Sequence, residues 1–209
     1  MDYIEALQNR YSVKKFDKSR IISDEILNRI LEAGKLSASS QGLQPYKIHV
    51  AASEQKLQEL IPAFYNPSQI STCSHLLAIV ARKGIEDDYV ERYFQHIANV
   101  RDLQIENLEP FKNSINSFKS MQSPEEILVW NEKQGYILLG NLMFAAALEK
   151  VDTCPIEGFR SGIIEEILGI DSETEKVTVT LALGYRADDD PFSKNKKVRK
   201  PDDLLYRFH

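Results

Sequence analysis

The segment Glu125–Lys150 constrains this chain more than any other. Its apolar positions Ile127, Trp130, Ile137, Leu138, Leu142, Phe144, Ala145 and Leu148 recur at helical spacing. From Tyr136 onward they cover nearly the whole circumference, and a helix apolar all round is buried on all sides. The spacing therefore predicts one long helix, the spine of a 209-residue fold and a candidate spine for a dimer. The apolar run from Tyr136 to Leu148 is too short to span a bilayer, which takes about 20 residues. Gly135 and Gly140 interrupt it, and glycine inside a helix costs about 1 kcal/mol against alanine. A close approach by another helix or a ligand is expected at both.

The rest reads as one domain, residues 1–209, built around that helix. Residues 2–9 predict a short helix with Ile4 and Leu7 inward. Arg10–Asp17 alternates as an extended segment, with Tyr11, Val13 and Lys15 on one side and Ser12, Lys14 and Phe16 on the other. Ser23 is a good N-cap for a helix whose face is Ile26, Leu27, Ile30 and Leu31. A small-residue loop containing Ser39, Ser40 and Gln44 then feeds a strand at Lys47–Ala51. A helix is expected over 53–61. Leu76–Val80 reads as a strand buried on both faces. Residues 85–122 are charged and aromatic, with weak periodicity at Tyr89, Tyr93, Ile97 and Val100. They predict an excursion of one or two helices over the core and the active site. Cys154–Phe159 reads as a Pro/Gly turn, followed by a helix at Ser161–Leu168 and a strand at Val177–Gly184. The tail, with Leu204, Leu205 and Phe208, is suited to pairing with another subunit.

Charge narrows the function. The net charge of −5 argues against nucleic acid as a partner. Yet Arg10, Lys14, Lys15, Lys18 and Arg20 cluster near the start, and Lys194, Lys196, Lys197, Arg199 and Lys200 near the end. Either cluster alone reads as a solvated loop, and Asp188, Asp189 and Asp190 place compensating acid just ahead of the second. Together the two suggest a local anion site. Cys73 and Cys154 form no CxxC and have no histidine at ligand spacing, so no metal site is expected. Two buried thiols fit a reducing, cytoplasmic setting, and no membrane partner is expected. His75 and His96 have no carboxylate partner by spacing and read as structural or exposed.

Several polar groups remain as candidates for binding. Arg10, the Ser12 hydroxyl and Lys14 could hold a phosphate and a polar ring edge. The amides of Asn66 and Gln69 could address a heterocycle. The turn at Cys154–Phe159, before a new helix, can aim backbone N–H groups at a ligand.

These pieces occur in a recognisable order. Arg10-Tyr11-Ser12-Val13-Lys14-Lys15-Phe16-Asp17, Ser39-Ser40 with Gln44-Pro45-Tyr46, Asn66 ahead of Ser74-His75, Gln134, Pro155-Ile156-Glu157-Gly158-Phe159 and Lys197-Val198-Arg199-Lys200-Pro201 follow one another. The set resembles the FMN-dependent nitroreductase family over nearly the whole chain, nearest to the oxygen-insensitive NAD(P)H nitroreductase and dihydropteridine reductase type. The resemblance implies an α+β fold, a three-layer α/β/α sandwich with a mostly antiparallel central sheet, a long buried helix and a C-terminal extension exchanged in a homodimer. It implies tightly bound, non-covalent FMN, with NADH or NADPH as co-substrate. Electrons would pass through flavin N5 to a nitroaromatic or quinone acceptor in a ping-pong cycle. A dehalogenase, an enoyl-type reductase and a low-turnover flavin-binding protein are the alternatives.

By the same resemblance, Arg10, Ser12, Lys197 and Arg199 would meet the phosphate end. Lys14 would meet the flavin pyrimidine edge, in a catalytic electrostatic role. Ser39 and Ser40 would contact the flavin from the second subunit, and Asn66 the pyrimidine ring. Glu157 and Gly158 would offer backbone N–H groups near N5. Tyr11, Gln44, Gln69, Pro155 and Ile156 complete the expected cofactor contacts. Gln134 would line the substrate side, and Phe111 or Phe118 would cap the ring. The chain departs from the family at Gly42, often Asn, at Tyr46, often Trp, and at Gln69, where the nearest relatives carry a second Lys.

Overall fold

The computed structural model describes residues 2–209. Its elements are α1 (Tyr3–Asn9), α2 (Asp24–Lys35), β1 (Tyr46–Ala51), α3 (Glu54–Leu60), β2 (His75–Arg82), α4 (Asp87–Arg101), α5 (Glu109–Ser120), α6 (Pro124–Leu148), β3 (Asp152–Ile156), α7 (Ser161–Leu168), β4 (Glu175–Gly184) and α8 (Asp202–Leu205). The strands make one antiparallel sheet in the order β1-β2-β4-β3. The α+β class with a central antiparallel sheet is as expected.

Capping chemistry fixes several helix starts. The Ser23 hydroxyl accepts the Ile26 N–H, and Ser53 that of Lys56. The spine α6 opens on a reciprocal capping box. Ser123 Oγ accepts the Glu126 N–H at 3.2 Å, Glu126 Oε2 accepts the Ser123 N–H at 2.8 Å, and Pro124 supplies the first helical residue.

Strand β2 is buried on both faces, and its alternation divides the core. Leu76, Ala78 and Val80 pack with Leu57, Leu60 and Ile164 of α3 and α7. Leu77 and Ile79 pack with Leu27, Ile30, Leu138 and Leu142 of α2 and α6. Helices thus cover both sheet faces. Pairing with β4 shifts register between Ile79 and Val80. One residue on β4 is left over, so Val177 joins the first cluster while Val179 and Leu181 join the second. Each fully buried leucine or isoleucine here contributes about 1.5–3 kcal/mol. The expected close approach at Gly135 is real, but its partner is the sheet: a Cβ there would lie 3.2 Å from Ile79 Cγ2. Gly140 has no neighbour within 4 Å of such an atom.

Several expectations are corrected. In α1 the buried residue is Ala6, while Ile4 and Leu7 are exposed. The spine is not buried all round in this chain: Tyr136, Ile137 and Leu148 are open, because α2 and the sheet cover only part of its circumference. Phe16 does not point with Ser12 and Lys14. The chain bends at Lys14–Lys15, and Phe16 joins Val13 in the core. The supposed turn Cys154–Phe159 is a strand in its first half. Pro155 is tolerated because β3 lies at the sheet edge, where a missing N–H breaks no ladder.

The excursion forms α4 and α5, with a cluster of its own around Val90, Phe94, Ile97 and Ile115, joined by Leu43 and Ile127. Val100 is 69% exposed and lies off that face. Phe111 packs edge-on against Phe94 (centroids 5.2 Å apart), and Phe118 lies tilted against Trp130 (5.1 Å). His75 is buried with Nδ1 2.8 Å from Ser74 Oγ, and His96 is exposed, as expected.

Packing is tight where β4 ends. A Cβ on Gly184 would lie 2.7 Å from Phe16 Cδ1 and 3.3 Å from the Ser74 amide nitrogen. Gly184→Ala is expected to cost about 1–3 kcal/mol by overpacking, read as a lower midpoint in urea with an unchanged slope.

Candidate functional site

The Arg10–Asp17 segment lies along the open edge of β3. Ser12 bridges Thr153 in parallel, and the Val13 N–H donates to the Thr153 carbonyl at 3.3 Å. One buried carboxylate sets the bend that follows. Asp190 Oδ2 accepts the N–H groups of Lys14 and Lys15, both at 2.7 Å, while Oδ1 accepts the Tyr11 hydroxyl (3.1 Å) and the Phe192 N–H (2.9 Å). Burial opposes its ionisation, yet these donors together hold its carboxyl below the usual range. Asp190 is thus a buried, bonded carboxylate within the polar loop. Only its local bond to the Phe192 N–H had a signal in the sequence, the Asp-Pro pair Asp190-Pro191, a turn initiator whose side chain can hydrogen-bond two residues on.

The two basic clusters do converge. Arg10, Ser12, Lys14, Lys196, Lys197 and Arg199 line one cleft of about 490 Å³. Arg186 belongs to the same wall but is neutralised. It forms a two-pronged ion pair with Asp152, stacks over the Tyr11 ring at 4.5 Å and donates to the Asn9 carbonyl. Sequence reasoning missed this pair, since 34 residues separate its members. Lys197 is tethered to the carbonyls of Leu7 and Arg10, and Arg199 to that of Val198. Among the described residues, neither meets a carboxylate. Burial and then the charge of Arg199 lower the Arg10 guanidinium from its ordinary value, and burial, Arg10 and Arg199 lower Lys197. Arg10 Nε is buried without a partner. Uncompensated cations in mutual repulsion, with an orphaned donor among them, are what a dianion would relieve.

Lys14 continues the line from the cleft toward the turn after β3. Its Nζ lies 3.8 Å from Cys154 Sγ. Burial raises the Cys154 thiol, so at neutral pH the lysine meets a neutral partner. Past the end of β3, the Gly158 carbonyl accepts the Tyr65 N–H at 3.0 Å. The N–H groups of Glu157 and Gly158 find no acceptor among the described residues. The Glu157 carboxylate is held by the Tyr136 hydroxyl of α6. Burial and this contact push the Tyr136 phenol up to about 12.

The other candidates fall in two places. Asn66 and Gln69 lie on the loop joined to that turn through Tyr65. Asn66 Oδ1 accepts the Ser68 N–H at 3.1 Å, and Gln69 is buried with Oε1 unpartnered. Ser68 Oγ donates to the Lys14 carbonyl at 2.6 Å, which seats this loop on the first segment. Ser39, Ser40 and Gln44 sit elsewhere, against α6 and α4, and line no part of the basic cleft. Gln134 does not present its amide to a pocket. It is buried, its Oε1 accepts the Ser40 N–H at 2.8 Å, and its Nε2 donates to the Trp130 carbonyl at 2.9 Å. Among the described residues, no group of His, Cys, Asp and Glu could hold a metal ion, and no helix is long and apolar enough to cross a membrane.

Comparison with known proteins bears on the family and the fold. Residues 7–185 match the model of the nitroreductase family. A protein of Staphylococcus epidermidis named an NAD(P)H nitroreductase is 36% identical over 209 residues, covering 96% of this chain and 93% of its own. A solved structure from the same species, described as an NAD(P)H:FMN oxidoreductase, superposes with a TM-score of 0.87 at 25% identity, over 100% of this chain and 96% of that one. A protein of Exiguobacterium sibiricum described as a nitroreductase, solved in complex with FMN, shares the fold with a TM-score of 0.84 at 22% identity, over 100% and 98% of the two chains. The chain belongs to the nitroreductase family.

Proposed function

We propose that this protein is an NAD(P)H-dependent FMN oxidoreductase. The uncompensated cation cluster of Arg10, Lys197 and Arg199 carries the reading. It fits the phosphate of FMN in charge and in donor chemistry, with Arg10 Nε as the orphaned donor. Ser12 and Lys14 then extend along the cofactor toward the turn, and Asn66 and Gln69 lie on the loop beside it. Bound FMN would supply the redox chemistry between NADH or NADPH and an electron-poor acceptor such as a nitroaromatic or quinone. The chain's own residues bind, orient and polarise. Among the described residues Lys14 pairs with no carboxylate, so its ammonium can serve where negative charge develops on reduction. The free N–H groups of Glu157 and Gly158 face the same reaction as fixed donors. The excursion 85–122, with Phe111 and Phe118, shapes the acceptor side.

A homodimer is part of the same reading. The open residues of α6 and the exposed tail, with Phe208 at 94% exposure, leave apolar surface suited to a second copy. Ser39 and Ser40, remote from the basic cleft in one chain, would reach flavin held by the partner. Two free buried cysteines suit a reducing cytoplasm.

The test is direct. Purified protein should be yellow, release FMN on denaturation, and oxidise NADH or NADPH faster when menadione or a nitrofuran is added. Flavin that neither nicotinamide reduces would sink the oxidoreductase reading and leave a flavin-binding protein. Turnover with haloaromatics or enones but not with quinones or nitro compounds would move the acceptor class. Glu157→Gln should leave the rate of flavin reduction within about twofold, because the backbone N–H and not the carboxylate serves the site. Stopped-flow absorbance at the flavin band measures it.

A further inference from the structure

Loop 39–44 is held in a conformation that side chains rarely adopt, and the excursion does much of the holding. Gln41, Gly42 and Gln44 all have positive φ, at 56°, 70° and 46°. Such residues persist only where the surroundings over-determine them, and they concentrate at ligand clamps and switch regions. The Ser39 hydroxyl accepts the Gln44 N–H at 2.9 Å, and Gln134 takes the Ser40 N–H from α6. The remaining grip comes from α4. Tyr89 and Tyr93, four residues apart on one helix face, both reach the loop backbone. The Tyr93 hydroxyl donates to the Gln41 carbonyl at 2.8 Å; the Tyr89 hydroxyl lies 2.6 Å from the Leu43 carbonyl and 3.0 Å from that of Gln44. The Arg82 guanidinium covers the Tyr89 ring at 4.4 Å, and Leu43 is sunk in the excursion's own cluster. The fit is reciprocal: a Cβ on Gly42 would lie 2.5 Å from the Tyr93 hydroxyl oxygen. A side chain at 42 would therefore have to displace the Tyr93 hydroxyl, which fits glycine rather than Asn at that position.

We infer that Tyr89 and Tyr93 are positioning residues of the flavin site, holding loop 39–44 in the shape that meets the cofactor and coupling it to the excursion. The inference rests on the proposed function, in which Ser39 and Ser40 contact flavin. It goes further by assigning the loop's geometry to two phenols of a segment otherwise read as cover. Neither phenol touches the phosphate cleft, so their effect should fall on the ring and ribityl part of the ligand.

The experiment titrates FMN-stripped, full-length protein with FMN and with riboflavin, which lacks the phosphate, and follows flavin fluorescence. Tyr89→Phe/Tyr93→Phe keeps both rings and removes only the hydroxyls, at about fivefold per lost neutral hydrogen bond. The double variant should bind both ligands about 5- to 30-fold more weakly and by equal factors. Arg199→Ala should weaken FMN alone. Tyr93→Phe by itself serves if the double variant does not fold, with a loss of about fivefold for both flavins. Unchanged affinities in a folded variant, or a loss confined to FMN, would overturn the inference while leaving the FMN reading intact. Wild-type protein that binds neither flavin would remove both.

Discussion

Asp190→Asn is expected to lower unfolding stability by about 2–4 kcal/mol at pH 7, through loss of hydrogen bonds to a charged group that are each worth about 1.5–3 kcal/mol. The geometry explains why so near an isostere fails. Oδ2 faces two N–H donors, from Lys14 and Lys15, and Oδ1 faces the Phe192 N–H and the Tyr11 hydroxyl. Whichever way the amide turns, its NH2 confronts at least one backbone donor. pH supplies an independent check. The native carboxyl titrates below its unfolded value near 3.9, so its stabilisation is present above that value and lost as pH falls through the native pKa. Urea melts of wild type and variant should therefore differ most near neutrality and converge in acid. A constant gap from pH 7 to pH 2.5 would mean that charge at Asp190 is not what holds the segment. The same substitution should loosen FMN binding, since the backbone of Lys14 is what Asp190 fixes.

Arg199→Ala should weaken FMN binding by about 1.5–3 kcal/mol, roughly 10- to 150-fold. The residue has no carboxylate partner among the described residues, and its charge already lowers Arg10 and Lys197. Removing it relieves repulsion in the empty cleft and removes attraction in the loaded one, so the loss falls on the complex. Folding stability without ligand should hold steady or rise slightly. Isothermal titration at two salt concentrations would also show a shallower salt dependence in the variant, because one cation fewer meets the phosphate. Unchanged affinity would make the tail cluster plain surface charge.

Much of the frame was legible. Ser23 and its apolar face announced α2, and the unbroken run Leu76–Val80 announced a doubly buried strand, because each is a pattern carried by neighbouring residues. The basic termini were legible as a pair, since like charges at both ends of an acidic chain need an anion or wide separation. Side-chain commitments were less so. Gln134 looked like a lining residue and proved to be a buried clamp, because hydrogen-bond valence is used up by whichever backbone arrives, here that of Ser40. Pro155 suggested a turn, because the edge position that tolerates proline in a strand depends on sheet order.

Local chemistry in the sequence determined the helices, the buried central strand, the paired cation clusters and the family resemblance. Tertiary structure alone decided that Asp190 is buried and charged, that Arg186 is spent on Asp152 while Arg199 meets no carboxylate among the described residues, and that α4 reaches back to hold loop 39–44. Each of those outcomes is set by which donor meets which acceptor across dozens to well over a hundred residues of chain. Periodicity reports only which face of an element is apolar. It carries no information about which polar group the fold brings opposite another.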